Sequence, residues 1–117
     1  MNGFQVLRKD VEEVSVLNLK GFLDAHTAPA FEEEIQKLLD ENRFKLIVNF
    51  EELSYISSAG LGVFMGFIED IRENSGDIKL TNMTKKVFRV FELLGFPNLY
   101  EIYDREDDAI AKYTSGK

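Results

Sequence analysis

At 117 residues, with 44% hydrophobic and 30% charged residues, the chain has the size and composition of one globular domain. A formal net charge of −7 argues against nucleic acid as a direct partner, because phosphate binding needs clustered Lys and Arg. With no cysteine and a single histidine, a disulfide framework, a thiolate metal site and a zinc site are all set aside.

No apolar run has the length to span a bilayer, and the N-terminus lacks a signal-peptide core. The expectation is a cytoplasmic protein with no membrane role, no cofactor and no metal. In chain order, Phe4 and Val6 alternate ahead of the acidic stretch 10–13, and Val14, Val16, Leu17 and Leu19 follow. This predicts an antiparallel hairpin. Gly21 is expected to end its second strand and 22–26 to form a loop. Thr27 is a predicted N-cap, with Ala28-Pro29 in the first turn of a helix reaching about Glu41. Phe31, Ile35, Leu38 and Leu39 would face inward.

The run 44–50 is apolar with a β-branched centre, the pattern of a strand buried on both faces. Beyond it, Leu61, Phe64, Met65, Ile68 and Ile71 recur at helical spacing, so a helix should begin near Ser58 and stop at Asn74-Ser75-Gly76. Ile78 and Leu80 belong to a further strand, with Met83 at its exit. Thr84 should cap a helix carrying Val87, Phe88, Phe91 and Leu94, which Gly95 and Pro97 terminate. A final strand is expected over 99–103. Asp104 should cap a last helix with Ala109, Ile110 and Tyr113 inward, and 114–117 should fray. The fold class is α/β, one domain over 1–117. Its central mixed, mostly parallel sheet has about five strands, accompanied by about four helices.

The stretch 55–62 marks the change from strand to helix period. Its two serines stand where a loop enters a helix, and Ser is favoured there because its oxygen accepts from first-turn amides. The same amides and the helix dipole favour a phosphoryl group. On local chemistry alone, Ser57-Ser58-Ala59-Gly60 also reads as a plain helix start with small residues for packing. Gly60 and Gly62 each cost about 1 kcal/mol relative to Ala in a helix, a cost that close approach of another surface would offset. In an open sheet functional loops lie beyond the carboxyl ends of the strands, which would gather Asp24, His26, Thr27, Ser57 and Ser58. Ser58, His26 and Asp24 can be drawn as nucleophile, base and orienter, but no oxyanion site can be named. The Gly-rich turn lacks the Lys of a phosphate-binding P-loop. No enzymatic activity is expected.

The segment 53–62, Leu-Ser-Tyr-Ile-Ser-Ser-Ala-Gly-Leu-Gly, resembles the signature of STAS domains, specifically the small bacterial anti-sigma factor antagonists. Gly21-Phe22-Leu23-Asp24 followed by Thr27-Ala28, and the segment 87–96, match further family features in the expected order. The resemblance implies a switch protein. Unphosphorylated, it would bind an anti-sigma factor, often also a serine-protein kinase, and so free a sigma factor for transcription; a phosphatase would reverse the mark. Aligned on Gly60-Leu61, Ser58 takes the phosphorylated position. Ser57 stands where Asp is usual, as a competing acceptor, and Ala59 where a second hydroxyl is usual. The implied partner-binding set is Asp24, Thr27, Ser57, Ser58, Ala59, Gly60, Gly62 and Gly66, on a chain that is monomeric when free. A constitutive, unphosphorylated scaffold module is the alternative within the same family.

Overall fold

Alternation in the strands and apolar stripes in the helices define two faces of one sheet. In the computed structural model, which describes residues 3–114, the chain forms β1 (Gln5–Val11), β2 (Val14–Leu23), α1 (Ala28–Asp40), β3 (Lys45–Ile56) and α2 (Ser58–Glu73). Next come β4 (Asp77–Thr81), α3 (Lys85–Leu93), a 3-10 turn over Phe96–Asn98, β5 (Ile102–Tyr103) and α4 (Glu106–Thr114). Strand order is β1-β2-β3-β4-β5; the first pair is antiparallel and the others parallel. This is the α/β architecture expected, a five-stranded mixed sheet with four helices.

Strand β3 is buried on both sides because consecutive residues serve different cores. Leu46, Val48 and Phe50 join α1, α2 and α3 through Phe31, Phe64 and Phe91. Ile47 points the other way, to Val14, Val16 and Ala109 beneath α4. The aromatic centre of the larger core is built edge-on: Phe64 lies 5.3 Å from Phe31 and 5.9 Å from Phe91 between ring centroids. The hydroxyl of Tyr113 donates to the carbonyls of Leu46 and Asp77, tying α4 to the sheet. Nearby, the buried Lys79 ammonium pairs with Asp77 (3.0 Å) and Glu101 (2.9 Å).

Several boundaries differ from expectation. Both β2 and β3 continue past the predicted ends, to Leu23 and Ile56, and pair there across two register shifts. Gly21 lies inside β2, at φ +95, where a Cβ would come 2.3 Å from the carbonyl oxygen of Gly3. The final strand is only Ile102–Tyr103, because Phe96–Asn98 takes a 3-10 turn that stacks Phe96 on Tyr100. Leu94 is exposed at the C-cap of α3, and Met65 faces outward from α2 at 51% exposure. Leu39, Ile68 and Phe88 are half-buried rather than central. Asp104 precedes α4 by two residues and makes no hydrogen bond to it among the described residues. Glu106 instead anchors that end through Lys9 and Asn49. Of the fraying expected over 114–117, Thr114 is instead the last residue of α4, its hydroxyl donating to the carbonyls of Ile110 and Ala111, and 115–117 lie outside the described residues. No helix among the described residues is long and apolar enough to cross a membrane.

Candidate functional site at the Ser57–Ser58 junction

Because β2 and β3 run parallel with Leu23 opposite Ile56, their carboxyl ends deliver two loops to one place. The first loop closes on Asp24 and Thr27. One Asp24 carboxylate oxygen accepts from the backbone amides of His26 (2.9 Å) and Thr27 (3.2 Å). The amide of Asp24 donates to the Thr27 hydroxyl (2.9 Å), which in turn donates to the carbonyl of Phe22 (2.8 Å). Thr27 occupies the N-cap position of α1 but makes no side-chain cap, contrary to expectation. Its hydroxyl is turned back into the loop, and Asp24 satisfies the loop amides instead.

The second loop is one residue long. The amide of Ser57 donates to the carbonyl of Leu23 (2.9 Å), which joins the two loops. Ser57 is extended (φ −104, ψ 175), the conformation of an N-cap residue, and its hydroxyl accepts from the Gly60 amide at 3.4 Å. Ser57 is therefore half-buried and engaged in starting α2. Ser58, the first helical residue, is exposed, and among the described residues its hydroxyl has no hydrogen-bond partner.

The three glycines of α2 have different surroundings. Gly60 is buried; a Cβ there would meet Leu23 Cγ at 2.8 Å and Ile56 Cγ1 at 3.0 Å. It allows the first turn to lie against the strand ends. Gly62 and Gly66 are exposed, and an added Cβ at either would meet nothing within 4 Å. With Ser58 they form a bare stripe, since residues four apart share a helix face.

A family model described as STAS domain matches residues 5–109. The chain belongs to the STAS domain family. The anti-sigma-B factor antagonist of Listeria monocytogenes is 28% identical over 104 residues, 89% of this chain and 90% of that protein. An anti-sigma factor antagonist from Mycobacterium paratuberculosis has a similar crystal structure, with TM-score 0.86 at 24% identity over 94% of this chain and 93% of that one. The Bacillus cell fate determinant SpoIIAA, solved in its phosphorylated form, superposes with TM-score 0.72 at 26% identity, covering 95% and 99% of the two chains.

In this STAS domain, Asp24, Thr27, Ser57 and Ser58 come together as the topology required, while Gly62 and Gly66 extend the surface along α2. His26 is exposed in the first loop, and among the described residues no hydrogen bond links its imidazole to Asp24 or Ser58. The Asp24 carboxylate is committed to loop amides, so a nucleophile-base-orienter set does not assemble. Among the described residues no group of three His, Asp or Glu side chains could hold a metal ion. A cleft of about 690 Å³ opens elsewhere, between Phe88, Pro97 and Ile102, and includes none of the predicted site residues.

Two residues inside the quoted motifs are not expected from the sequence to be exposed and paired. Phe22 and Tyr55 are register partners at the strand ends, 57% and 44% exposed, with ring centroids 5.8 Å apart. Only the outward phase of Tyr55, between the buried Leu53 and Ile56, could have located them, and that phase requires knowing that β3 runs on to Ile56.

Proposed function

We propose that this STAS domain is an anti-sigma factor antagonist of the cytoplasm, active as a monomer. Unphosphorylated, it binds an anti-sigma factor that is also a serine kinase. Phosphorylation of Ser58 dissociates the complex, and a phosphatase restores binding, so sigma-factor-dependent transcription follows the phosphorylation state. The reading draws on relatives named anti-sigma-B factor antagonists and on the phosphorylated form of SpoIIAA.

The observation that carries it is the exposed Ser58 hydroxyl, free of hydrogen bonds at the first position of a sixteen-residue helix. A kinase can reach that oxygen without breaking any described contact. Ser57, the competing acceptor, is half-buried and holds the Gly60 amide. The partner surface is then Ser58, Ala59, Gly62 and Gly66, with Asp24 and Thr27 fixing the adjoining loop and Gly60 seating the helix.

The test is incubation with each purified anti-sigma factor of the source organism and ATP, followed by fragment-ion mass spectrometry and a binding titration. The phosphoryl group should be found on Ser58, and the phosphorylated protein should lose its partner. Modification mainly at Ser57 would sink the site assignment. A scaffold module is favoured by one observation, Ser57 where the family usually has Asp; binding without any incorporation would select it.

A further inference from the structure

The sheet ends at β5, Ile102–Tyr103, whose strand neighbour is β4. The amide of Leu80 donates to the carbonyl of Glu101 (3.0 Å) and that of Asn82 to the carbonyl of Tyr103 (3.2 Å), so these carbonyls turn toward β4. Alternation along the strand turns the amide and carbonyl of Ile102 outward, and neither has a hydrogen-bond partner among the described residues. A cleft of about 690 Å³ lies along this edge. Five consecutive residues, 100–104, line it, although Ile102 packs toward the larger core and Tyr103 toward the smaller, so the backbone edge is what they share. Met83, Phe88 and Pro97 add an apolar wall on the α3 side. We infer that this cleft is a second binding site, which receives an extended segment of another protein as a further strand against β5.

The chemistry of the cleft commits it to that occupant. An edge residue offering one donor and one acceptor is matched by an extended backbone, which carries both, and alternate side chains of the added strand then meet Met83, Phe88 and Pro97. A short edge strand by itself discourages pairing; the apolar wall beside this one supplies the burial that a few backbone bonds lack. The rim selects no net charge. Lys85 and Asp104 are opposite in sign and form no ion pair among the described residues, while Lys79 holds Glu101 at 2.9 Å. The segment is therefore apolar and uncharged where it crosses the cleft. A second copy of this chain does not match that description. Its other sheet edge, β1, carries Arg8, Lys9 and Asp10 in succession, with Arg8 held by Asp10 and Glu41. Two copies of β5 pairing symmetrically would meet over two residues only.

The cleft shares no residue with the Ser58 junction, so its test needs no anti-sigma factor. A displayed library of random linear heptapeptides is selected against the wild-type chain. The most enriched peptide is synthesised, titrated by calorimetry and mapped by amide chemical shifts. Apolar residues should recur in it at alternate positions, and the shifts should centre on Met83, Phe88 and Ile102. Methylating the peptide's backbone nitrogens one at a time should weaken binding at least tenfold at the nitrogen that pairs with the Ile102 carbonyl and be tolerated at its neighbours. Ile102→Pro removes the outward N–H and leaves the β4 ladder bonds in place, so it should melt cooperatively and bind at least tenfold more weakly. No enrichment, shifts centred elsewhere, indifference to methylation at every position, or normal binding by folded Ile102→Pro would each overturn the site. The methylation series decides the matter even if Ile102→Pro does not fold.

Discussion

The glycines of α2 allow stability and binding to be pulled apart by single methyl groups. In a helix interior Gly costs about 1 kcal/mol relative to Ala. At Gly62 and Gly66 an added Cβ meets nothing within 4 Å, so nothing offsets that gain. Gly62→Ala and Gly66→Ala should each stabilise the free protein by about 0.5–1 kcal/mol. For 117 residues the unfolding entropy is about 0.25 kcal/mol/K, so each change raises Tm by about 2–4 °C. Gly60→Ala has the same propensity gain but places its Cβ at 2.8 Å from Leu23 Cγ and 3.0 Å from the Leu23 carbonyl oxygen. The side-chain contact can relax, but the backbone one cannot without moving the Ser57–Leu23 hydrogen bond. A net loss of about 1–3 kcal/mol is expected, as for an overpacked core. Urea midpoints at constant slope measure all three. If Gly62→Ala or Gly66→Ala destabilises the isolated chain, the stripe is not open and the argument for a contact surface there fails. If both stabilise and also weaken partner binding, the free protein is less stable than it could be because the helix backbone must be approached closely.

Three further outcomes are expected. Phe64→Ala, which empties the space among four aromatic rings, should cost about 3–5 kcal/mol in denaturant melts, and a loss below about 1 kcal/mol would mean that α2 is turned the wrong way. Burial disfavours the Glu106 carboxylate, but hydrogen bonds from Lys9 and Asn49 outweigh it and hold its pKa below the ordinary 4.5. A depressed folded-state pKa contributes stability that is lost as pH falls below the ordinary value, so Glu106→Gln should reduce the difference between urea midpoints at about pH 7 and pH 3; an unchanged difference would remove Glu106 from the acid response. Gly66→Arg should fold and melt slightly above wild type, for the same propensity reason as Gly66→Ala, yet fail to bind the anti-sigma factor in a titration, and normal binding would move the contact surface off α2.

How far the sequence revealed the fold depended on whether a residue's environment was local. The two-faced burial of Leu46, Ile47 and Val48 and the start of α2 at Ser57–Ser58 follow from short-range period and cap chemistry, and both hold. The extension of β3 through Leu53, Ser54, Tyr55 and Ile56 was hidden, because Glu51, Glu52 and Ser54 break the apolar run. Its pairing with Gly21, Phe22 and Leu23 comes from register shifts that no local pattern encodes. The same breaks in the apolar run leave the pairing of Phe22 with Tyr55 unmarked. Thr27 departs from its expected cap because Asp24, three residues earlier, offers the loop amides a better acceptor and leaves the threonine hydroxyl to the Phe22 carbonyl. Met65 matched the helical stripe and still faces out. The buried arc of α2 shifts toward Val63 where the helix meets the strand ends, and Tyr100 offers Met65 only its hydroxyl at 3.7 Å.

Magnitudes decide why a phosphoryl group at Ser58 would act on binding and not on folding. It brings about −1.5 to −2 charges to the amino end of a helix, where the dipole and free amides favour an anion by about 0.3–1 kcal/mol. Ser58 is exposed and its hydroxyl holds no contact, so the fold loses nothing there when the oxygen is esterified. The free domain should therefore be as stable phosphorylated as not. In a complex the same group would be stripped of water against a partner selected for a neutral hydroxyl, and an uncompensated charge in an interface costs several kcal/mol. Since each 1.4 kcal/mol is tenfold in affinity, a penalty of about 4 kcal/mol converts a nanomolar complex to a micromolar one. The asymmetry arises because Ser57 starts the helix with its own hydroxyl, which leaves Ser58 free of any structural task.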